Sequence, residues 1–428
     1  MVARIVVLTR AWPYPPGEQF VSDEAPFWVR EGVEVVVMPW WAHGRPGVVP
    51  AGIRLDLTLA RRNRLQDVRA LLAAPLQPSV RKEMAELLQD QTRLAPSQLV
   101  NVLRSARGAL LARDALRAWI RRNGPIDVVY SYWFDSWTLG ALLLKGEGVG
   151  RVASRVHGYD LYEDRNPSGH LPLRRALVDR LDLLLPVARS GGEYAVRTYG
   201  IDPSVVQHAP LGVDLAASPS PTSPQGELHL LSVAGCLPVK RVDRLIDAVQ
   251  LLATAHPELK IHWTHLGGGG QYDDLAPLAQ AGARVHANLS ADMPGQVERS
   301  QVNRLLAAGP VDLFVNTSQS EGVPVSVMEA MAHSVPAVAP AVGAMEEIIP
   351  ADGRAGRLLS AAPSPREIAD SLWQVHELAK QPPMRQAART VVAEQYQRET
   401  NHQRVMDLLV GLAEHRDRQA VATAGSEG

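Results

Sequence analysis

Short apolar runs alternate with longer mixed segments in the first part of the chain. Residues 5–8 and 33–38 have the length and composition of buried strands, and the turn at residues 12–17 is rich in proline and glycine. Residues 22–31 are predicted to form a helix between these strands. This strand–helix–strand order predicts a parallel sheet, whose ligand sites lie at the carboxyl ends of the strands.

The same pattern continues and then restarts after a linker. Residues 61–122 are predicted to be helical, and residues 216–226 have the serine- and proline-rich composition of a linker. We therefore expect two similar α/β halves, with the cleft between them as the binding site. The other predicted strands are residues 128–130, 152–156, 183–187, 205–208, 228–233, 261–265, 313–316 and 337–339, and further helices are expected at 241–253 and about 399–416.

Composition narrows the class of protein. The 428 residues suggest two domains, or three, at roughly 100–200 residues each. The 44 basic and 45 acidic residues nearly cancel, which argues against a general nucleic-acid binder. The only cysteine, Cys236, excludes an intrachain disulfide and favours a reducing, cytoplasmic setting. No apolar run approaches the ~18 residues of a membrane span.

The most informative segment is residues 311–332, which is predicted to be a strand, a loop and a helix. Gly322 permits a tight turn, and Pro324 suits the first helical turn. Val323 has no side chain that can cap the helix, so the first amides, up to Val325, can bind a diphosphate. By itself, the segment could equally be an acidic turn followed by a helix with one exposed glutamate.

The whole segment, with Glu321 in the loop and Glu329 in the helix, resembles the signature of retaining family-4 glycosyltransferases, most closely bacterial enzymes of surface-polysaccharide assembly. The resemblance implies the GT-B fold: two Rossmann-like domains that face each other across a cleft, with a C-terminal helix that crosses back to the first domain. The expected division is an acceptor domain at 1–212, a linker at 213–227, a nucleotide-sugar domain at 228–390, a helical segment at 391–418 and a disordered tail at 419–428.

The resemblance also assigns residues on the donor side. Lys240, in the turn at 232–243, is expected to bind the donor diphosphate. Many relatives have an arginine where this chain has Cys236, and Arg241 is the candidate to replace it. Gly267 belongs to a glycine turn at 266–270, and the nucleotide base is expected near residues 284–289. Glu321 would bind sugar hydroxyls and Glu329 the ribose.

In the first half, residues 154–162 resemble the His-Gly-x-Asp segment of the family. This resemblance places His157 at the donor sugar, although an isolated histidine can also be structural. Asp160 either orients the acceptor or caps the loop. Gly17 takes the place of the family's glycine-rich first loop, where the backbone approaches the phosphate or the sugar. Glu18 either contacts a sugar or only precedes the helix.

The implied reaction moves a sugar from a UDP- or GDP-sugar to a saccharide or lipid-linked saccharide, with retention at the anomeric carbon. His157, Glu321 and Lys240 form the expected catalytic set, and no cofactor or metal is expected. The alternatives are an enzyme of specialised metabolism, a GT-B epimerase or phosphorylase, and an inactive partner subunit.

The predicted helical stretch 61–122 carries 13 basic and 5 acidic residues, an excess of eight positive charges. It is either a solvated face or a surface for anionic lipid or a lipid-diphosphate acceptor. The second interpretation would place a cytoplasmic protein at the inner face of the plasma membrane.

Overall fold

A computed structural model describes residues 2–89 and 96–424 of the chain. The chain divides into two compact units: residues 1–209 with residues from 402 onward, and residues 210–401. Each unit contains a six-stranded parallel sheet. No described helix combines the length and the apolar character needed to cross a bilayer.

The first unit has the strand order β3-β2-β1-β4-β5-β6. Its strands are β1 Ala3–Thr9, β2 Val33–Pro39, β3 Ile53–Leu55, β4 Ile126–Ser131, β5 Val149–Val156 and β6 Leu183–Pro186. Its helices are α1 Gln19–Glu24, α2 Arg64–Ala73, α3 Pro78–Gln89, α4 Pro96–Asn123, α5 Ser136–Leu143, α6 Arg174–Leu177 and α7 Arg189–Tyr199.

The second unit repeats the arrangement with the order β12-β11-β10-β7-β8-β9. Its strands are β7 Glu227–Val233, β8 Lys260–Leu266, β9 Leu289–Gly295, β10 Leu313–Val315, β11 Ala337–Pro340 and β12 Gly356–Leu359. Its helices are α8 Val242–Ala255, α9 Tyr272–Val285, α10 Arg299–Ala308, α11 Val325–Ala332, α12 Met345–Ile348, α13 Pro365–Val375 and α14 Pro382–Gln395, and α15 Arg398–Ala424 follows.

Apolar side chains on both faces of β1 explain why helices cover both faces of the first sheet. Val6 and Leu8 belong to the core that α4 and α5 cover, whereas Ile5 and Val7 belong to the core on the other face. Successive side chains of a strand point to opposite faces, so a strand that is apolar throughout must be covered twice. The second core also includes Leu409 of α15. The C-terminal helix therefore packs on the first unit, as we expected.

Two predicted elements of the first unit are wrong in type or extent. The helix expected at 22–31 is α1, which ends at Glu24 and continues only as a 3₁₀ turn at Ala25–Trp28. Pro26 stops the α-helix because it has no N–H to donate. The strand expected at 205–208 is a 3₁₀ turn, Pro203–Val205, followed by an isolated bridge.

The expected linker, residues 213–227, is bonded along its length to the second unit. The Ser220 amide donates to His333 O at 2.8 Å, and the Ser223 amide donates to Asp312 Oδ1 at 2.9 Å. Arg389 donates to Ala216 O at 2.7 Å. Composition suggests a loose connection, but the buried Asp312 carboxylate organises this segment.

The tail also differs from the prediction. We expected disorder over 419–428, but α15 remains helical to Ala424, and residues 425–428 lie outside the described residues. Three of the five residues at 420–424 are alanine, which has the highest helix propensity. The helix therefore extends beyond the boundary that the apolar pattern suggested.

Candidate functional site

The two sheets reverse their strand order at one point each, and these points position the candidate residues. In the second unit, β7 and β10 are neighbours, with β8 and β9 on one side and β11 and β12 on the other. The loops that leave the carboxyl ends of β7 and β10 therefore diverge in opposite directions. Such switch points are the ligand sites of open parallel sheets.

Lys240 and Glu321 meet at this switch point. Lys240 Nζ lies 2.8 Å from Glu321 Oε1, and the Asn316 amide donates to the same oxygen at 3.1 Å. The Lys240 side chain is 24% exposed and that of Glu321 10%. The two loops thus bring together two residues that are 81 positions apart. Asn316 was not among the predicted site residues, although its position directly after β10 is that of a switch-point residue.

The turn that carries Lys240 is fixed by the neighbouring loop. The Thr317 hydroxyl donates to the carbonyl oxygens of Lys240 and Arg241, and the Gln319 amide donates to Val239 O. Arg241 has a left-handed backbone, with φ of 50°, at the start of α8. These bonds hold the Lys240 turn against the β10 loop.

Arg241, the candidate to replace the arginine missing at position 236, is paired within its own turn. Its guanidinium binds both carboxylate oxygens of Asp243, with Nε–Oδ1 at 3.0 Å and Nη2–Oδ2 at 2.8 Å. The hydrogen bonds from Arg241 lower the pKa of the Asp243 carboxyl. In this arrangement Arg241 is neutralised locally, and Cys236 is fully buried. A phosphate bound by Arg241 would therefore have to share the guanidinium with Asp243.

Helix α11 begins one residue later than predicted. Pro324 is its N-cap, so the helix starts at Val325, and the cap makes no side-chain hydrogen bond. The left-handed glycine near this turn is Gly343, with φ of 59°, rather than Gly322. A Cβ atom on Gly343 would lie 2.1 Å from Glu321 O, so glycine is required there for close packing. Gly322 O accepts from the Ala344 amide at 3.1 Å.

Glu329 lies in the second turn of α11 and is paired. Its Oε1 accepts from Arg299 Nε at 2.7 Å, and its side chain is 13% exposed. Arg299 opens α10 and is 30 positions away in sequence, so no local pattern could indicate it. The pair fixes the direction of the carboxylate on which we expected the ribose to bind.

Gly267 is a packing glycine. Its φ is 153°, and an added Cβ atom would lie 1.9 Å from Ala234 O. Its amide donates to Gly295 O at 2.9 Å, so this N–H is already used within the protein. Gly267 therefore allows the loops after β7 and β8 to pack closely.

The segment expected to contact the base lies at the wrong end of its strand. Leu289 begins β9 and pairs with Ile261 at the amino end of β8. Gly295, at the carboxyl end of β9, is the residue that lies beside Gly267. β9 was not recognised as a strand because it has mixed polarity, so the expected base position, residues 284–289, was not placed relative to the strand end.

In the first unit, the switch point lies between β1 and β4, and His157 follows the next strand, β5. Its ring lies 4.2 Å from the Trp133 ring, between centroids, and is stacked with Phe20 at 6.1 Å. Both ring nitrogens are buried and have no hydrogen-bond partner among the described residues. Burial lowers the pKa of His157, so the imidazole is neutral at pH 7.

Asp160 caps the loop that holds His157. Its Oδ1 accepts from the His157 amide at 2.9 Å, and its Oδ2 accepts from the Phe134 amide at 3.0 Å. The carboxylate is 1% exposed, and it joins the loops after β4 and β5. Of the two roles left open by the sequence, the structure supports the capping role.

Glu18 is an internal anion. Its carboxylate accepts from the amides of Arg10, Ala11 and Trp12 at 2.6–3.2 Å, and from Trp133 Nε1 at 2.5 Å. Such a row of amides is a general anion-binding arrangement. Gly17, with φ of 84°, makes the turn that returns Glu18 to these amides. The sequence around Glu18 did not indicate these hydrogen bonds.

Comparison with known proteins agrees with this architecture. Residues 228–377 match the family described as glycosyl transferases group 1. The putative colanic acid biosynthesis glycosyltransferase WcaL of Escherichia coli strain K12 is 25% identical over 408 residues, which cover 92% of this chain and 97% of that protein. The MMP alpha-(1->4)-mannosyltransferase of Mycolicibacterium hassiacum is 25% identical over 58% of this chain and 61% of its own length.

Three of the curated relatives are matched over only 59–61% of their own length. Among solved structures, Anabaena Alr3699/HepE in complex with UDP and glucose has a TM-score of 0.62 at 16% identity, and the match covers 95% of this chain and 99% of that one. The structural likeness confirms the predicted GT-B fold. Together these findings identify residues 228–377 as a glycosyltransferase group 1 domain.

Proposed function

We propose that this chain transfers a sugar, with retention of anomeric configuration, from a UDP- or GDP-sugar to a saccharide or lipid-linked saccharide. The observation that carries the proposal is the contact of Lys240, Glu321 and Asn316 at the switch point of the second sheet. A cation, a carboxylate and an amide beside an uncapped helix start are the groups that a diphosphate and sugar hydroxyls require. The name of the E. coli relative supports a role in surface-polysaccharide biosynthesis.

In this proposal the second unit binds the donor. Lys240 and the backbone amides at the start of α11, those of Gly322, Val323 and Val325, stabilise the departing diphosphate. Glu321 holds sugar hydroxyls and favours positive charge at the ring, and Glu329, oriented by Arg299, binds the ribose diol. The base is assigned to the loop after β9, because Gly295 neighbours Gly267. UDP in the Anabaena structure supports a nucleotide donor.

We assign His157 to the transferred sugar. Its neutral imidazole can accept or donate one hydrogen bond without adding charge, and the Trp133 ring offers an apolar face of the kind on which sugars stack. The acceptor oxygen attacks from the face that the diphosphate leaves, and the leaving phosphate oxygen takes its proton. No side chain in this scheme forms a covalent bond to the sugar, and no metal or cofactor takes part.

The deciding experiment measures transfer and its stereochemistry. Purified chain is incubated with UDP- and GDP-sugars and a set of saccharide acceptors, and NMR assigns the anomeric configuration of the product. We expect retention with one nucleotide class. An inverted product would refute the retaining mechanism.

Calorimetry with UDP and GDP separates an enzyme from an inactive partner subunit. That alternative has specific support, because Arg241 is held by Asp243 and Cys236 provides no charge. Binding of one nucleotide together with slow donor hydrolysis supports the enzyme. Binding of neither nucleotide would favour the partner subunit.

We also propose that α2 contacts anionic lipid, which would place the protein at the inner face of the membrane. Leu65, Val68 and Leu72 share one face of this helix and are 57%, 53% and 70% exposed. They lie in the basic 61–122 stretch, and an exposed apolar face flanked by arginines is typical of helices that lie on a bilayer.

Vesicle sedimentation tests this surface. The chain should sediment with vesicles containing phosphatidylglycerol, and Leu72→Glu should abolish the association. Leu378→Glu is the matched control, because Leu378 is also exposed (54%) but lies in the second unit. Equal sedimentation of the wild type and Leu72→Glu would remove the proposal.

A further inference from the structure

Two histidines and a glutamate converge at the amino ends of β7 and β8, at the edge of the sheet opposite the Lys240 loop. Glu227 and His229 are two residues apart on β7, so their side chains leave the same face of the strand. His229 pairs in register with His262 on β8, and their ring centroids lie 4.4 Å apart. Within residues 2–89 and 96–424, these three form the one such group whose possible ligand atoms all lie within 4.8 Å of one another.

The distances in this group suit a small metal ion. Glu227 Oε2 lies 3.4 Å from His229 Nε2 and 4.0 Å from His262 Nε2. Two ligands of a tetrahedral ion, each bound at about 2.0–2.1 Å, are separated by roughly 3.3 Å. The Glu227–His229 spacing already matches. The His262 side chain is 42% exposed, so a small rotation closes the remaining gap.

The surrounding bonds orient both imidazoles. Ser290 lies opposite His262 on β9, and its Oγ is 2.8 Å from His262 Nδ1. With the hydroxyl hydrogen directed at Ile261 O, 3.5 Å away, Ser290 Oγ can accept from Nδ1–H, the tautomer that leaves the Nε2 lone pair available. His229 Nε2 is buried and has no hydrogen-bond partner among the described residues. Its nearest carboxylate oxygen, Glu227 Oε2 at 3.4 Å, makes no hydrogen bond with it, and a buried imidazole nitrogen without one is unfavourable unless something binds there.

Lys260 is the nearby cation that could compete for the carboxylate. Its Nζ lies 3.8 Å from Glu227 Oε1, the oxygen that does not face the histidines. The Lys260 side chain is 70% exposed, so it can turn to solvent when an ion binds. It therefore does not block the space between Oε2 and the two Nε2 atoms.

We propose that Glu227, His229 and His262 bind a divalent transition-metal ion of the zinc type, with water as the fourth ligand. Imidazole and carboxylate together are a usual ligand set for such ions. The ligands come from two adjacent strands, so the ion would join β7 to β8 and stabilise the second unit. Since β7 separates this site from the Lys240 loop, the ion takes no part in sugar transfer.

Calorimetric titration of the untagged, chelator-treated chain with Zn²⁺ tests the site, and elemental analysis gives the stoichiometry. We expect one ion per chain. His262→Ala and Glu227→Gln should each weaken binding at least tenfold, and Ser290→Ala about tenfold through loss of orientation. His256→Ala is the matched control, since His256 is a partly exposed histidine of the same unit that stacks on Trp373. Circular dichroism confirms that each variant is folded.

Cobalt provides a readout that ordinary surface binding would not give. Co²⁺ in a four- or five-coordinate histidine site shows visible d–d absorption, which should appear with the wild type and be lost in His262→Ala. The proposal is overturned if Zn²⁺ binds the wild type and His262→Ala with the same affinity, or if the wild type binds no stoichiometric ion. Neither result bears on the proposed transfer reaction, which a chelator should leave unchanged.

Discussion

Lys240 and Glu321 have opposite charges and are in contact. Removing one charge should therefore weaken nucleotide binding, and removing the other should strengthen it. Without a donor, the ammonium is neutralised by the carboxylate at 2.8 Å. A diphosphate must then share or displace that contact. We therefore predict that Lys240→Met weakens the binding of the nucleoside diphosphate, whereas Glu321→Gln strengthens it and still impairs transfer.

The magnitudes follow from the type of bond that is lost. A hydrogen bond to a charged group contributes about 1.5–3 kcal/mol, and 1.4 kcal/mol is a factor of ten. Lys240→Met should thus weaken UDP or GDP binding about 10- to 100-fold. Glu321→Gln removes a carboxylate that competes for Lys240, and since the Lys240 side chain is 24% exposed, this should tighten binding by about 1 kcal/mol, or roughly fivefold. Loss of its charge at the sugar should lower the transfer rate by about 100-fold.

Titration calorimetry with the nucleoside diphosphate and a transfer assay on the same preparations measure both effects. Lys260→Met is the control for nucleotide binding, because it removes one positive charge from the same unit at an exposed position. The reasoning fails if Glu321→Gln weakens nucleotide binding as much as Lys240→Met does. That result would mean that the carboxylate supports the lysine and does not compete with the phosphate.

Three further changes test the structure around the site. Glu18→Gln should lower the free energy of unfolding by about 2 kcal/mol, measured by urea unfolding. It should also lower kcat in the transfer assay, because Glu18 binds Trp133 and the Trp133 ring packs on His157. Nucleotide affinity, measured by calorimetry, should be unchanged. Burial lowers the pKa of His265 to about 4, so the contribution of this histidine to stability is complete above pH 6.5. About 3 kcal/mol of the free energy of unfolding should be lost as pH falls from 6.5 towards 4. His265→Gln should remove that part of the pH dependence, measured by urea unfolding. Arg155→Leu leaves the buried Glu24 carboxylate without its ion pair and should cost about 3–5 kcal/mol, measured by thermal unfolding, whereas replacing both residues by leucine should restore more than half of the loss.

The elements that could be predicted are those whose formation depends on residues close together in the sequence. Buried parallel strands such as β1 and β2 contain continuous apolar runs, because both of their faces are covered. The start of α11 was predicted within one residue, since a proline marks a first helical turn. The order of elements predicted two α/β halves, and the resemblance of residues 311–332 to family-4 glycosyltransferases implied the GT-B fold. Strands β3, β9 and β12 were missed because they are short or of mixed polarity.

The partners of the candidate residues were not predictable in the same way. Asp243 pairs with Arg241, the residue that was expected to bind the donor phosphate, and the motif gave no indication of this pair. Arg299 reaches Glu329 from another helix, and Trp133 reaches His157 from another strand's loop. A motif fixes which residue types are near a strand end. Their hydrogen bonds depend on which strands are neighbours in the sheet, and a single sequence does not state that order.

The two switch points differ in how easily a new anion could bind there. In the first unit, the Glu18 carboxylate saturates the amides of Arg10, Ala11 and Trp12, so the β1 loop has satisfied its own anion site. A phosphate could enter there only by displacing a carboxylate held by three amides and an indole. In the second unit, the carboxylate of Glu321 is held by a mobile side chain, Lys240, which can turn to a new anion without breaking backbone bonds. Replacing the bound carboxylate by a phosphate therefore costs less free energy in the second unit than in the first. Diphosphate recognition should depend on Lys240 rather than on the backbone at Gly17.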